Sequence, residues 1–120
     1  MKTIIYSLLL VIVVSCSKSS DKIYVVTADD IEVLLKQDKV QLVDVRTDTE
    51  FNNGSIKNAQ NIDFLSETFE DDIKLLDKTK PVIVFCQKGG RSAKCADRMI
   101  ELGFEKIYDL EGGYSKWLSE

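Results

Sequence analysis

The segment 82–92 places one cysteine between an apolar strand and a short loop that carries glycines and cations. Cys86 follows the apolar run 82–85, and the loop after it consists of Gln87, Lys88, Gly89, Gly90, Arg91 and Ser92. The backbone N–H groups of such a loop, the positive end of a following helix and nearby cations all favour the thiolate, which is the reactive form of cysteine. The chain contains no histidine. A Cys–His pair is therefore excluded, and the loop itself must activate Cys86.

The alternative for Cys86 is a structural cysteine that ends a strand, because free cysteine is among the most buried residue types. Gly89 and Gly90 argue against it, since an inert core position does not require a loop that can curl its amides toward the sulfur. An ordinary turn would also use two glycines. We expect Ser92 to be the N-cap of the next helix, with a hydrogen bond into the site as the second possibility.

Two loop cations could stabilise an anionic substrate beside Cys86. Arg91 is the better placed, because it enters the helix, whereas Lys88 is equally well explained as a solvated surface charge. Asp44 and Arg46 follow the second apolar strand, where functional groups of a parallel sheet collect. We interpret Asp44 and Arg46 mainly as a structural ion pair that supports the loop.

The remaining sequence predicts an α/β domain. Short β-rich runs alternate with helical segments from Ile23 onward, which predicts a central parallel sheet with helices on both faces. Cys86 then lies at the carboxyl end of a strand, where such sheets bind ligands. Cys95 falls on the buried face of the following helix, so we predict a core thiol. A resolving thiol that attacks an oxidised Cys86 is the alternative.

Length and charge limit the possible functions. The 120 residues suffice for one compact domain, and the formal net charge of −4 comes without a basic stripe, which argues against a nucleic-acid role. Residues 1–15 form a short positive start and an apolar run typical of a secretory signal. Residues 13–16, Val-Val-Ser-Cys, resemble the lipobox of bacterial lipoproteins. We therefore expect a signal peptide over 1–15, a lipidated Cys16 with a tether over 16–22, and a domain over 23–120.

The domain also resembles the rhodanese-like sulfurtransferase family in three motifs. These are Leu-Val-Asp-Val-Arg at 42–46 followed by Glu-Phe and Gly-Ser-Ile, the loop 86–92, and Leu-Glu-Gly-Gly-Tyr at 110–114 with Trp117. The resemblance implies a rhodanese-like fold and sulfur transfer through a Cys86 persulfide, from a donor such as thiosulfate to a thiol or another nucleophile. One position departs from the family pattern, because Ser55 stands where a histidine is usual. We expect that change to leave catalysis little affected.

The resemblance leaves two other functions open. One is a non-catalytic persulfide carrier that passes sulfur to a protein partner, and the other is a phosphatase-like or arsenate-reducing enzyme. In the family, six residues from cysteine to arginine accompany sulfur transfer and longer loops accompany oxyanions. Cys86 to Arg91 spans six residues. No metal or organic cofactor is implied, and we expect a monomer held by its lipid on an extracytoplasmic membrane surface of the cell envelope, facing the periplasm if the cell has one.

Overall fold

A computed structural model describes residues 20–37 and 39–120, which form one α/β domain around a parallel sheet. The five strands lie in the order β1-β5-β4-β2-β3, and every neighbouring pair is parallel. Their bounds are β1 Ile23–Val26, β2 Gln41–Asp44, β3 Gln60–Asn61, β4 Val82–Phe85 and β5 Ile107–Leu110. The predicted fold class is therefore confirmed.

Five helices connect or follow the strands. Their bounds are α1 Ala28–Leu35, α2 Asp48–Asn52, α3 Phe69–Ile73, α4 Gly90–Glu101 and α5 Gly113–Ser119, and a 3₁₀ turn over Ser20–Lys22 precedes β1. Local sequence explains the starts of α1 and α2. Thr27 and Thr47 each accept a hydrogen bond from the backbone three residues on, and the acidic side chain there accepts one in return. Such reciprocal caps satisfy N–H groups that the first turn leaves free.

Helices cover both faces of the sheet, as the apolar central strand predicts. β4 is buried at all four positions, and its side chains alternate between two core clusters. Val82 and Val84 pack with residues of α3 and α4, whereas Ile83 and Phe85 pack with residues of α1 and α5. A strand with successive side chains on opposite faces must be apolar throughout when both faces are covered.

Two details of the predicted elements are wrong. Helix α4 begins at Gly90 with Gly89 as its N-cap, so Ser92 lies inside the first turn and is not the cap. The spacing of Ile31, Leu34 and Leu35 predicts that all three lie on the apolar face of α1, yet Leu35 is 38% exposed while Ile31 is fully buried. Both errors concern helix ends, where local patterns leave the start and the rotation of the helix undetermined.

The segments over 1–15 and around Cys16, which we interpret as signal peptide and lipidation site, lie outside the described residues. Within residues 20–37 and 39–120, the structure contains no helix with the length and apolar character of a membrane span.

Candidate active site

Cys86 lies directly after β4, with its side chain beneath the loop 87–92 and only 1% of the residue exposed. Its Sγ accepts a hydrogen bond from the Gly89 N–H at 3.0 Å and lies 3.4 Å from Ser92 Oγ. Gly89 has φ of +116°, a left-handed conformation in which a side chain would be strained. That conformation turns the Gly89 amide toward the sulfur, so the loop does bring backbone donors to Cys86.

The loop favours the charged form of the sulfur. Burial by itself raises the pKa of the Cys86 thiol, because it disfavours a thiolate. Hydrogen bonds from the Ser92 hydroxyl and from the backbone of Ser92, Gly89 and Lys88 outweigh burial, and the net pKa is lowered. The start of the twelve-residue helix α4 lies at the same place and adds the positive end of its dipole. Cys86 is therefore an enclosed thiol whose surroundings favour its ionised form.

The start of α5 holds the loop from the other side. The Tyr114 N–H donates to the Cys86 carbonyl at 2.8 Å, and the Ser115 N–H donates to the Gln87 carbonyl at 3.0 Å. Gly113 makes this approach possible, since a Cβ at that residue would lie 2.7 Å from the Gln87 carbonyl carbon. Gly113 therefore allows the start of α5 to contact the backbone of the loop.

Asp44 and Arg46 form a buried ion pair that reaches the loop. The Arg46 Nη2 lies 2.7 Å from the Asp44 Oδ2, and the two residues are 2% and 0% exposed. Arg46 also donates from Nη1 to the Gln87 Oε1 at 2.9 Å, and its guanidinium lies 4.4 Å from the centre of the Tyr114 ring. Ser55, at the position where the family has histidine, donates to the Asp44 Oδ2 at 2.8 Å. The pair thus connects β2 with the loop and with α5.

The Arg91 guanidinium is paired with a carboxylate that the sequence analysis did not select. Arg91 donates to the two Glu50 carboxylate oxygens at 2.6 and 2.9 Å. Chiefly through this pairing, the pKa of Glu50 is lowered to about 2 and the pKa of Arg91 is raised. Lys88, by contrast, is exposed. Glu50 therefore neutralises one of the two loop cations and fixes its position at the entry to α4.

Asp109 is the second site residue that the sequence analysis missed. It lies on β5, is 8% exposed, and its Oδ1 lies 2.7 Å from Ser92 Oγ. Asp109 is 17 residues from Ser92, and Glu50 is 41 residues from Arg91. In the sequence, Asp109 could be noticed as the single charged residue of an apolar strand, and Glu50 as the third residue after the helix cap Thr47. Neither signal names a partner so distant in sequence.

Comparison with known proteins decides the family. The model of the rhodanese-like domain matches residues 27–120. The chain belongs to the rhodanese-like domain family. Thiosulfate sulfurtransferase GlpE of Shewanella oneidensis is 38% identical over 78 residues, which are 65% of this chain and 75% of that protein.

Solved rhodanese-like structures share the fold. A rhodanese-related protein from Thermoplasma volcanium has a TM-score of 0.70 and 31% identity, covering 80% of this chain and 91% of the other. A rhodanese-like domain protein from Staphylococcus aureus has a TM-score of 0.69 and 34% identity, covering 78% and 90%. Both structures cover more than three quarters of this chain, and the matched range of the family, residues 27–120, includes the loop 87–92.

The second thiol of this rhodanese-like domain, Cys95, is enclosed in the core. Cys95 is fully buried, its Sγ lies 3.8 Å from the Met99 Sδ, and burial raises the pKa of its thiol to about 12. In reduced, native Cys86→Ser protein we expect a thiol reagent to leave Cys95 unlabelled until denaturant is added. Peptide mass spectrometry measures the labelling. Rapid native labelling, together with an internal disulfide in the oxidised parent, would support the resolving-thiol alternative instead.

Proposed function

We propose that this protein is a sulfurtransferase that carries sulfane sulfur as a persulfide on Cys86. The donor class is a small anion such as thiosulfate, and the acceptor is a thiol or another nucleophile. The observation that carries the proposal is the enclosed Cys86 Sγ, which accepts the Gly89 N–H at the start of α4 and has a lowered pKa. The relative named thiosulfate sulfurtransferase supports the same chemistry.

The transfer proceeds in two displacements at sulfur. The Cys86 thiolate attacks the outer sulfur of thiosulfate, an S–S bond forms to Cys86, and sulfite leaves with the electron pair of the broken bond. An acceptor thiolate then attacks the outer sulfur of the persulfide, and Cys86 leaves as a thiolate. Each step moves a formally neutral sulfur atom between anions, so the enzyme needs no redox partner. The covalent intermediate divides one transfer into two easier displacements.

The length of the loop, six residues from Cys86 to Arg91, suits a sulfur intermediate. The Gly89 N–H already points at Sγ, and the Lys88 backbone also favours its negative charge. When Cys86 carries a persulfide, the negative charge lies on its outer sulfur. The same backbone N–H groups and the same helix dipole would stabilise that charge. Such donors are fixed before the reaction and therefore need little reorganisation when the charge moves.

Thiosulfate-dependent sulfite release by the full chain, with a thiol acceptor, tests the proposal. We expect turnover that depends on both donor and acceptor. Parallel assays with a phosphate monoester and with arsenate test the oxyanion alternative, for which the six-residue loop is short. If the protein hydrolyses the phosphate monoester or reduces arsenate but releases no sulfite from thiosulfate, the proposal is contradicted and that alternative is supported.

The two loop cations should act on an anionic donor through their charge. A charge-assisted contact is worth about 1–3 kcal/mol, so Arg91→Ala should lower transfer efficiency roughly ten- to a hundredfold. Lys88→Ala should cost less, because Lys88 is exposed, and its effect should fall with added salt. Steady-state kinetics over a salt series measure both. Parent-like kinetics in both variants would mean that the loop cations do not bind the donor.

Glu50 supplies the matched variant for Arg91. Glu50→Gln keeps a hydrogen-bonding side chain but removes the charge that neutralises Arg91 in the ion pair at 2.6 Å. If Arg91 attracts the donor, this variant should lower the KM for thiosulfate at low salt. A raised KM would mean instead that Glu50 acts by holding Arg91 in position.

A persulfide carrier is the second candidate function. It is favoured by the charge balance near Cys86, where Arg46 and Arg91 are each paired with a carboxylate and Lys88 is exposed. Two neutralised arginines attract a small dianion less strongly than two free ones would. A carrier should accept sulfur from a protein persulfide yet release little sulfite from thiosulfate. The sulfite assay therefore separates a carrier from a thiosulfate sulfurtransferase.

We also propose that Cys16 is diacylated and holds the domain on an extracytoplasmic membrane surface. Residues 13–16 support this, because a small residue precedes a cysteine after an apolar run too short to span a bilayer. Two acyl chains anchor stably, whereas one gives marginal binding. In bacterial cells the full chain should partition into detergent, and Cys16→Ala should not. A detergent-phase Cys16→Ala protein would indicate an uncleaved apolar anchor.

A further inference from the structure

A buried carboxyl group lies one hydroxyl away from the nucleophile, and the proposed transfer does not use it. Asp109 is 8% exposed, and its Oδ1 is 2.7 Å from Ser92 Oγ. The same Ser92 oxygen is 3.4 Å from Cys86 Sγ. Asp109, Ser92 and Cys86 therefore form a continuous row of polar side chains at the base of the loop.

Ser92 has one hydroxyl proton and more acceptors than that proton can serve. Its Oγ is within reach of the Asp109 carboxylate, the Gly89 carbonyl at 3.2 Å and Cys86 Sγ. A hydroxyl donates one hydrogen bond at a time but can also accept. When Ser92 donates to an ionised Asp109, its oxygen is left to accept from a Cys86 thiol. When Ser92 donates to a Cys86 thiolate, Asp109 must be protonated to keep its own contact with Ser92.

We propose that Asp109 is a positioning residue that takes up the Cys86 proton through Ser92. The S–H bond of Cys86 breaks as its proton moves to Ser92 Oγ, and the Ser92 proton moves to Asp109 Oδ1. One negative charge shifts from the carboxylate to the sulfur, and the charge of the row is unchanged. The chain has no histidine, and this row gives the thiol a buried proton acceptor.

The surroundings bring the two ionisations closer together. Burial is the main cause that raises the pKa of Asp109, and the nearby charge of Asp97 on α4 adds to it, while the Ser92 hydrogen bond partly opposes them. The pKa of Cys86 is lowered by the hydrogen bonds that outweigh its burial. A carboxyl and a thiol differ by about 4–5 pKa units in water. Shifts in these opposite directions reduce the free energy of moving the proton between them.

The groups around Asp109 leave Ser92 as its connection to the loop. From α4, Asp97 and Cys95 interact with the Asp109 charge, and Cys86 follows the neighbouring strand β4. From β1, the residue in register is the apolar Val25. The pKa of the Cys95 thiol is about 12, so Cys95 remains neutral over the pH range in which Cys86 would react. Asp97 is exposed and tests the effect of a nearby charge alone.

The pH dependence of Cys86 alkylation tests this inference. Iodoacetamide is added to the full chain in mild detergent, and peptide mass spectrometry quantifies modification of Cys86 alone. Asp109→Asn is isosteric and resembles the protonated carboxyl, so it should lower the apparent pKa of Cys86 by about one unit. At pH values below the apparent pKa of Cys86, alkylation in Asp109→Asn should be about tenfold faster than in the parent at the same pH. Ser92→Ala removes the hydroxyl donor and should raise the apparent pKa.

A double variant distinguishes proton transfer through Ser92 from a simple effect of the Asp109 charge on the pKa of Cys86. If the proton moves through Ser92, the Asp109→Asn shift should fall to less than half in the Ser92→Ala background, because coupled residues are not additive. An equal shift in both backgrounds would overturn the proposal, as would an unchanged or raised pKa in Asp109→Asn. Asp97→Asn is the control for a nearby charge and should shift the pKa by a few tenths of a unit at most. If Ser92→Ala does not fold, the comparison of Asp109→Asn with Asp97→Asn decides, and equal shifts overturn the proposal.

The role of Asp109 in transfer rests on the proposed function, but the alkylation test does not. Iodoacetamide reports the thiolate of Cys86 whether or not sulfur is transferred. If the variants show the predicted pKa shifts but the protein releases no sulfite, the proposed proton transfer through Ser92 stands and the sulfurtransferase assignment is contradicted. If the protein turns over thiosulfate but the variants do not show those pKa shifts, only the proposed proton transfer is contradicted.

Discussion

Replacing Cys86 by serine should abolish persulfide formation and lower sulfur transfer by at least about a thousandfold. A serine hydroxyl does not ionise at neutral pH, whereas the thiolate is the nucleophilic form of cysteine. The nucleophile itself, rather than a group that assists it, is then missing. Intact-mass spectrometry after thiosulfate treatment should show one added sulfur atom in the parent and none in Cys86→Ser.

Cys95→Ala is the matched control for that variant. Cys95 is fully buried beside Met99, and burial raises the pKa of its thiol to about 12. Removing it should leave the added sulfur atom in place. A persulfide that persists in Cys86→Ser but disappears in Cys95→Ala would move the sulfur-carrying role to Cys95 and contradict the assignment of Cys86.

The elements that the sequence predicted best are those whose cause is local. The run 82–85 must be buried on both faces because it is apolar at consecutive positions, and the structure buries all four residues. Thr27 and Thr47 each have an acidic residue three positions on, which is a local pattern typical of a capping box, and both form one. Caps and strand periodicity depend on a few neighbouring residues, so a single sequence contains what determines them.

The start of α4 was not predictable in the same way. Ser92 is a favourable N-cap residue, yet Gly89 takes that position and Ser92 lies within the first turn. There the Ser92 hydroxyl contacts Asp109 and the Cys86 sulfur, which are brought together only when β4, β5 and α4 pack. Local cap preference is worth about 1 kcal/mol, which tertiary contacts readily outweigh.

Charged partners across the fold were also beyond the sequence. Arg91 was selected as a cation that could stabilise an anionic substrate, and its ion pair with Glu50 depends on α2 lying beside the loop. The pairing of Asp44 with Arg46 was predictable, because only one residue separates them at the end of β2. What the sequence could not supply was the contact of Arg46 with Gln87, 41 residues away, which makes the pair a support for the loop.

Breaking that buried pair should strongly destabilise the domain. Arg46→Leu leaves the Asp44 carboxylate without its ionic partner, and Asp44 is fully buried. Removing one partner of a buried ion pair costs about 3–5 kcal/mol, because the remaining charge is uncompensated. Chemical denaturation should therefore show a free energy of unfolding lower by about that amount. Arg46→Lys should lie between, since an ammonium keeps the charge but cannot form the forked contact.

Two further variants decide whether the loss comes from the uncompensated charge. Arg46→Leu combined with Asp44→Asn removes the charge and should recover a large part of the lost stability. Arg98→Leu breaks the exposed pairs of Arg98 with Glu70 and Glu101 and should change the free energy of unfolding little, because solvent screens exposed charges. An Arg46→Leu protein no less stable than Arg98→Leu would show that the ion pair is not a structural support. A double variant as unstable as Arg46→Leu would place the loss in the contacts with Gln87 and Tyr114, because those contacts are absent from both proteins.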